Sequence, residues 1–222
     1  MQPRYELNNL VGIVETLRGP GGCPWDREQD LGSMRPYLLE EVYEALEAMD
    51  RAGQPGSDEA LHEELGDLLF VVLLLCQIAK DQGRFDLESV CKRIADKMVE
   101  RHPHVFGNAP REETAEGSLA TWEAQKARLK PRRSRLDGVP QSLPSLLRAH
   151  RQGEKAAAVG FDWPDHRGAL EKVEEELEEL KEAIQNGGPA QIRHELGDLL
   201  MSLCSLGRHL DAPPEESLRE AN

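Results

Sequence analysis

Apolar residues recur at spacings of three and four through nearly every stretch of the chain, and no segment alternates with a period of two. The pattern predicts an all-α protein. Helices are expected over residues 4–17, 32–52, 57–82, 86–101, 113–129, 142–157, 166–186, 189–209 and 214–222, divided by breakers such as "RGPGGCP", "AGQPGSD" and Pro103. One helix departs from the usual amphipathic design. Residues 65–76, "LGDLLFVVLLLC", are apolar nearly all round, as in a helix covered on several sides within a bundle or a dimer core.

The pattern also repeats. Residues 174–200 restate the plan of residues 39–69: a glutamate-rich helix, a Gly/Pro loop, and a helix carrying "ELGDLL". The expected organisation is an N-terminal module at 1–107, a helical connector with a basic linker at 108–160, and a C-terminal module at 161–222. Within the connector, "KARLKPRRSR" is basic and broken by proline, as in an exposed linker or, alternatively, a local phosphate-attracting patch. Gly66 and Gly197 interrupt the second helix of each copy at about 1 kcal/mol relative to alanine, and close approach of a neighbouring helix is the expected compensation.

Carboxylates are placed where apolar residues would otherwise continue. Residues three apart share a helix face, so Glu41 pairs with Glu44 and Glu64 pairs with Asp67. At 100° per residue, Glu64, Asp67, Leu68, Val71 and Leu75 form one stripe, which Glu195, Asp198, Leu199, Ser202 and Leu206 reproduce. A short loop makes the two helices of each copy antiparallel neighbours, bringing four carboxylates together. Uncompensated, such charges repel or take up protons. A hard divalent cation removes the conflict, and an oxygen-only ligand set selects magnesium, manganese or calcium over zinc. A di-iron bundle needs Glu-x-x-His on two helices, and only Glu59-x-x-His62 matches, at a helix start.

Further along, Lys97 and Arg101 are spaced to present two cations to one anionic group, while His102 and His104 flank Pro103 as turn and packing residues. The charge balance narrows the partners. Forty-one acidic against 27 basic residues, a net charge of −14, disfavour a general nucleic-acid binder. No run is long enough to span a membrane and the first residues carry no secretory signal pattern, so a cytoplasmic location is expected. Cys23, Cys76, Cys91 and Cys204 are scattered without a metal or disulfide spacing.

The two "EExxE … ExxD" arrays, with nineteen residues between Glu44 and Glu64 and fifteen between Glu179 and Glu195, resemble the all-α nucleoside triphosphate pyrophosphohydrolases. The MazG family is the nearest match. "GGCPWDREQ", "GRFDLESVC", "ERHPHVFG" and "VGFDWP" are similar to segments of that family in the same order, so the likeness covers essentially the whole chain. The resemblance implies tandem modules of four-helix-bundle type, completed in a homodimer, that hydrolyse nucleoside triphosphates to monophosphates and pyrophosphate with magnesium, for which manganese is a substitute. It makes Glu41, Glu44, Glu64 and Asp67 metal ligands in the first module, and Glu176, Glu179, Glu195 and Asp198 in the second. By the same carry-over, Glu40 and Glu63 orient or deprotonate water, Lys97 and Arg101 meet the phosphates, Trp25 stacks on the base, and Lys172 is a phosphate contact. Members of the family continue past the second module with another basic helix, whereas this sequence stops at "SLREAN", so the first module is the expected seat of catalysis. The rival expectations are a non-catalytic helical dimerisation module with a structural ion, and an enzyme of narrower substrate range acting on one dNTP, an oxidised nucleotide or an alarmone.

Overall fold

Every regular element among the described residues is a helix. The structure, a computed structural model, describes residues 7–110 and 136–222 together with residues 113–115, 117, 118, 121, 122 and 125. Most of the helix expected at 113–129, and all of the basic stretch at 126–135, lie outside them. The chain divides into two compact units, Met1–Lys126 and Ala127–Asn222.

In the first unit α1 is Leu7–Arg18, α2 Pro24–Glu28, α3 Arg35–Asp50, α4 Ser57–Asp81, α5 Leu87–Arg101 and α6 Pro103–Phe106. The short helices α2 and α6 were not expected from periodicity, being less than two turns long; each begins on a proline, whose fixed φ suits the first helical position. Between α1 and α2, Gly22 lies against the end of α1, where a Cβ would meet the Leu17 carbonyl oxygen at 2.2 Å. Helices α3 and α4 form a hairpin, and Gly56, at φ +84°, makes the left-handed turn into α4. The core gathers Val14 of α1, Met34 before α3, and Val71, Leu73, Leu74 and Ile78 of α4. Polar ties fix the helix ends around it. Arg18 donates from Nε to Asp81 at 2.8 Å and from Nη1 to the Asp26 and Gln29 carbonyls, and Lys80 pairs with Glu15 at 2.7 Å. A reciprocal capping box between Asp86 and Ser89 starts α5.

The second unit repeats the hairpin. Here α7 is Ser145–Ala157, α8 His166–Asn186, α9 Pro189–His209 and α10 Pro214–Ala221. Helices α8 and α9 pair across Gly187 and Gly188, while α7, which the sequence reading puts in the connector, packs against α9 and α10. Arg208 at the end of α9 grips Asp162 with two bonds of 2.8 and 2.5 Å, and His209 approaches the same carboxylate at 3.1 Å. This fork holds the "VGFDWP" turn onto α9, and the Arg208 hydrogen bond is the main cause of the Asp162 carboxyl lying below its ordinary pKa.

One side of each hairpin stays uncovered within its unit. Leu39, Val42, Leu65, Leu69 and Val72 are exposed in the first, and Leu177, Ile184, Leu196, Leu200 and Leu203 in the second. The apolar run at 65–76 is therefore buried on its α1 side and open on another. Gly66 and Gly197 lie in open space, since a Cβ at either would meet nothing within 4 Å. The neighbouring helix expected to explain them is not found among the described residues. No helix among the described residues is long and apolar enough to cross a membrane.

Two expectations follow from this packing. Gly66→Ala should raise stability by about 1 kcal/mol through helix propensity, read from the urea midpoint; a loss of stability would require a close contact at this face. Asp162→Asn should destabilise the second unit by roughly 1.5–3 kcal/mol at neutral pH, the scale of hydrogen bonds to charged groups. Because the folded-state pKa of Asp162 is depressed, its contribution is fully present above the unfolded value of about 3.9 and is lost as pH falls through the folded value. The difference between wild type and variant in thermal unfolding should accordingly shrink below pH about 4.

Candidate metal and nucleotide site

The α3–α4 hairpin sets glutamates of one helix opposite an acidic turn of the other. Carboxylate oxygens of Glu41 on α3 and of Glu64 and Asp67 on α4 lie within 4.8 Å of one another. Glu41 and Glu64 are half-buried, Asp67 is exposed, and the Glu41 Oε2 atom is enclosed without a hydrogen-bond partner. The electrostatics register the crowding. Loss of hydration pushes the Glu41 carboxyl above its ordinary pKa, reinforced by the charges of Asp67, Glu44, Glu64 and Glu40. Glu64 is raised for the same first reason, then by Glu44, Asp67, Glu63 and Glu47. Glu44 is thus in the field of the cluster but outside its tightest group, while Glu40 and Glu63 are exposed beside it.

The α8–α9 hairpin builds a related cluster in which oxygens of Glu176, Glu179 and Glu195 lie within 4.8 Å of one another. Glu176 stands where Glu41 stands in the first copy, is only 6 % exposed, and likewise has an enclosed, unpartnered Oε2. Here, however, cations are already present. Lys172 Nζ is 2.7 Å from Glu176 Oε1 and 2.9 Å from Glu175 Oε1. His194 Nδ1 is 2.7 Å from Asp198 Oδ2, and the Asp198 charge is the main cause of the imidazole's raised pKa. Asp198 groups with His194 and Glu195, the last of which it shares with the Glu176 cluster. Sequence reasoning missed His194, although its i, i+4 spacing to Asp198 is a usable signal. His62 belongs to no such group among the described residues.

Both clusters pass the chemical test for a hard divalent cation. Each presents three carboxylates with no intervening thiol, and each encloses a carboxylate oxygen that the protein leaves without a donor. Neither cluster is fully enclosed, which leaves room for water and phosphate oxygens.

The remaining expected residues of the first unit are Lys97, Arg101 and Trp25. Among the described residues no ion pair joins Lys97 or Arg101 to Glu41, Glu64 or Asp67. Arg101, 8 % exposed, lays its guanidinium 5.0 Å from the centre of the Trp122 ring, and its Nε lacks a partner. The Arg101–Trp122 stack had no signal in the sequence, since no helical spacing connects positions 101 and 122. Trp25 is 46 % exposed and meets Tyr37, one turn before Glu41, edge to face at 5.4 Å. His102 donates from Nδ1 to the Met98 carbonyl, 2.7 Å away, in the turn after α5.

Comparison with known proteins joins these observations. A family model described as the MazG nucleotide pyrophosphohydrolase domain matches residues 29–106 and 165–213, stretches that contain the two clusters. The chain is 44% identical over 217 residues, 97% of its length and 80% of the relative's, to a Thermotoga maritima protein named nucleoside triphosphate pyrophosphohydrolase/pyrophosphatase MazG. It is 40% identical over 225 residues, 98% of its length and 83% of the relative's, to an Escherichia coli nucleoside triphosphate pyrophosphohydrolase. A Bacillus subtilis protein, YabN, described as uncharacterized, is 41% identical over 222 residues, 98% of this chain and 44% of the relative.

Crowded carboxylates impose a stability cost that a substitution can reveal. In the absence of divalent cations and at neutral pH, Glu41→Gln should raise the melting temperature. The folded-state pKa of Glu41 exceeds its unfolded value, so the penalty is absent at low pH and fully present above the folded value. The advantage of the variant should consequently vanish as pH is lowered towards about 4. Thermal melts across pH check this, and a variant less stable than wild type at neutral pH would contradict the repulsion.

Proposed function

The chain belongs to the MazG nucleotide pyrophosphohydrolase family, and on that premise we propose that it hydrolyses nucleoside triphosphates to nucleoside monophosphates and pyrophosphate at a carboxylate-held divalent cation. The observation that carries the reading is the enclosed, unpartnered carboxylate oxygen at equivalent positions of two hairpins, Glu41 and Glu176, each inside a three-carboxylate group. Magnesium is the proposed ion, with manganese able to replace it. It would be held by Glu41, Glu44, Glu64 and Asp67 in the first module and by Glu176, Glu179, Glu195 and Asp198 in the second. When bound, such an ion neutralises triphosphate oxygens and makes a coordinated water more acidic.

The chain's own side chains supply the rest of the chemistry. Glu40 and Glu63, exposed beside the ligand carboxylates, are placed to orient the attacking water and accept its proton. Lys97 and Arg101 offset charge on the departing pyrophosphate, with the Trp122 ring against the Arg101 guanidinium. Trp25, half exposed over Tyr37, offers a ring face to the base, and Lys172 is the phosphate contact of the second module. We assign catalysis first to the N-terminal module, where no lysine or histidine ion pair occupies the cluster among the described residues. The exposed leucines and valines of the α3–α4 hairpin, with open space at Gly66, support a second copy of the chain as the partner that covers this face. A cytoplasmic setting fits a nucleotide substrate.

Incubation with a panel of nucleoside and deoxynucleoside triphosphates and magnesium, resolving monophosphate plus pyrophosphate from diphosphate plus phosphate, tests the reaction. Monophosphate and pyrophosphate are expected in equal amounts, and a single productive base would identify a narrow-specificity enzyme. Glu41→Gln should lower kcat by on the order of 10²–10³-fold while leaving the helical content unchanged. Full activity in that variant would move catalysis out of the first module.

A further inference from the structure

The two carboxylate clusters descend from one repeated plan but meet their charge problem differently. At Glu41, the position one turn earlier on the same helix is Tyr37, whose ring is engaged edge-on with Trp25. At Glu176 the corresponding position is Lys172, whose ammonium lies 2.7 Å from Glu176 Oε1 and also bridges Glu175. Glu176 is almost fully enclosed, whereas the Lys172 side chain is 38 % exposed on a four-carbon stem. The anion is therefore anchored in the hairpin and the cation is free to turn out towards water. Glu176 Oε2 has no hydrogen-bond partner and lies in the group with Glu179 and Glu195, so the lysine satisfies one half of the carboxylate and leaves the other without a donor.

We propose that Lys172 is a built-in counter-cation of the second cluster, occupying Glu176 until a divalent ion displaces it, so that the two modules load metal with unequal affinity and the first loads more tightly. The inference rests on the metal reading given under Proposed function. A divalent ion bound through Glu176 would share a carboxylate with an ammonium group, and two cations a few ångströms apart repel strongly even when water screens them. Metal loading in the second module is then an exchange in which the ion enters and the ammonium leaves. The displaced ammonium, on its exposed stem, becomes available to an anionic group such as a phosphate. In the first module no exchange is needed, because Tyr37 carries no charge to remove. The metal ions and Lys172 thus act in sequence at the second hairpin and only the metal acts at the first.

Titration of the full chain with Mn²⁺ in the absence of nucleotide, counting free Mn²⁺ by electron paramagnetic resonance, reads this directly. Wild type should show a tight and a weak class of sites, and Glu195→Gln should remove the weak one. Lys172→Met should tighten the weak class by on the order of tenfold and leave the tight class unchanged, while Lys172→Arg, which keeps the charge, should leave the weak class weak. An unchanged or weakened second class in Lys172→Met, loss of the tight class in Glu195→Gln, or equal classes in wild type would each overturn the proposal while leaving the metal reading in place. Absence of Mn²⁺ binding from all four proteins would overturn the metal reading as well.

Discussion

Mutual repulsion among carboxylates held in a half-dry helix hairpin is the constraint around which this protein is organised. Glu41, Glu64 and Asp67 place oxygens within 4.8 Å of one another, and burial withdraws the water that would otherwise screen them. An isolated hairpin with this arrangement would be better served by neutral side chains. The arrangement survives because the rest of the unit supports it from behind: Leu74 and Ile78 of α4 are fully buried against Val14 and Met34, and Arg18 ties the far ends of α1 and α4 together. The apolar core thus holds in place a set of charges that would otherwise separate.

The repeated hairpin shows two physical solutions to one conflict. In the first unit no lysine or histidine pairs with the cluster among the described residues, and the Glu41 and Glu64 carboxyls lie above their ordinary pKa through lost hydration first and their neighbours' charges second. In the second, Lys172 pairs with Glu176 and His194 with Asp198. A cluster without its own cations favours an ion from solution, whereas one with them must give them up first. Divergence between copies has changed the competition for the site more than its carboxylate inventory, since Glu176, Glu179, Glu195 and Asp198 are all retained.

The uncovered faces belong to the same design. The helices that carry the carboxylates also carry exposed leucines and valines. Gly66 and Gly197 keep the backbone bare on that open surface, immediately beside Glu64, Asp67, Glu195 and Asp198.

Helix type, the order of the long helices and the i, i+3 pairing of carboxylates were legible in the sequence alone, because the 3.6-residue period and the i, i+3 rule are local properties of one helix. The limits of α8 and α9 agree to the residue with the pattern for this reason. The repeat was equally legible, since "ELGDLL" occurs twice. Other features were decided only in three dimensions. Whether Glu44 or Asp67 joins the tightest group, whether Lys172 faces Glu176 or solvent, and whether Gly66 meets a helix or open space all depend on side-chain direction between elements. The stacking of Arg101 on Trp122 depends on contact between segments twenty-one positions apart in the chain. Periodicity reports which face a residue occupies, but only the packing of one helix against another decides what that face meets.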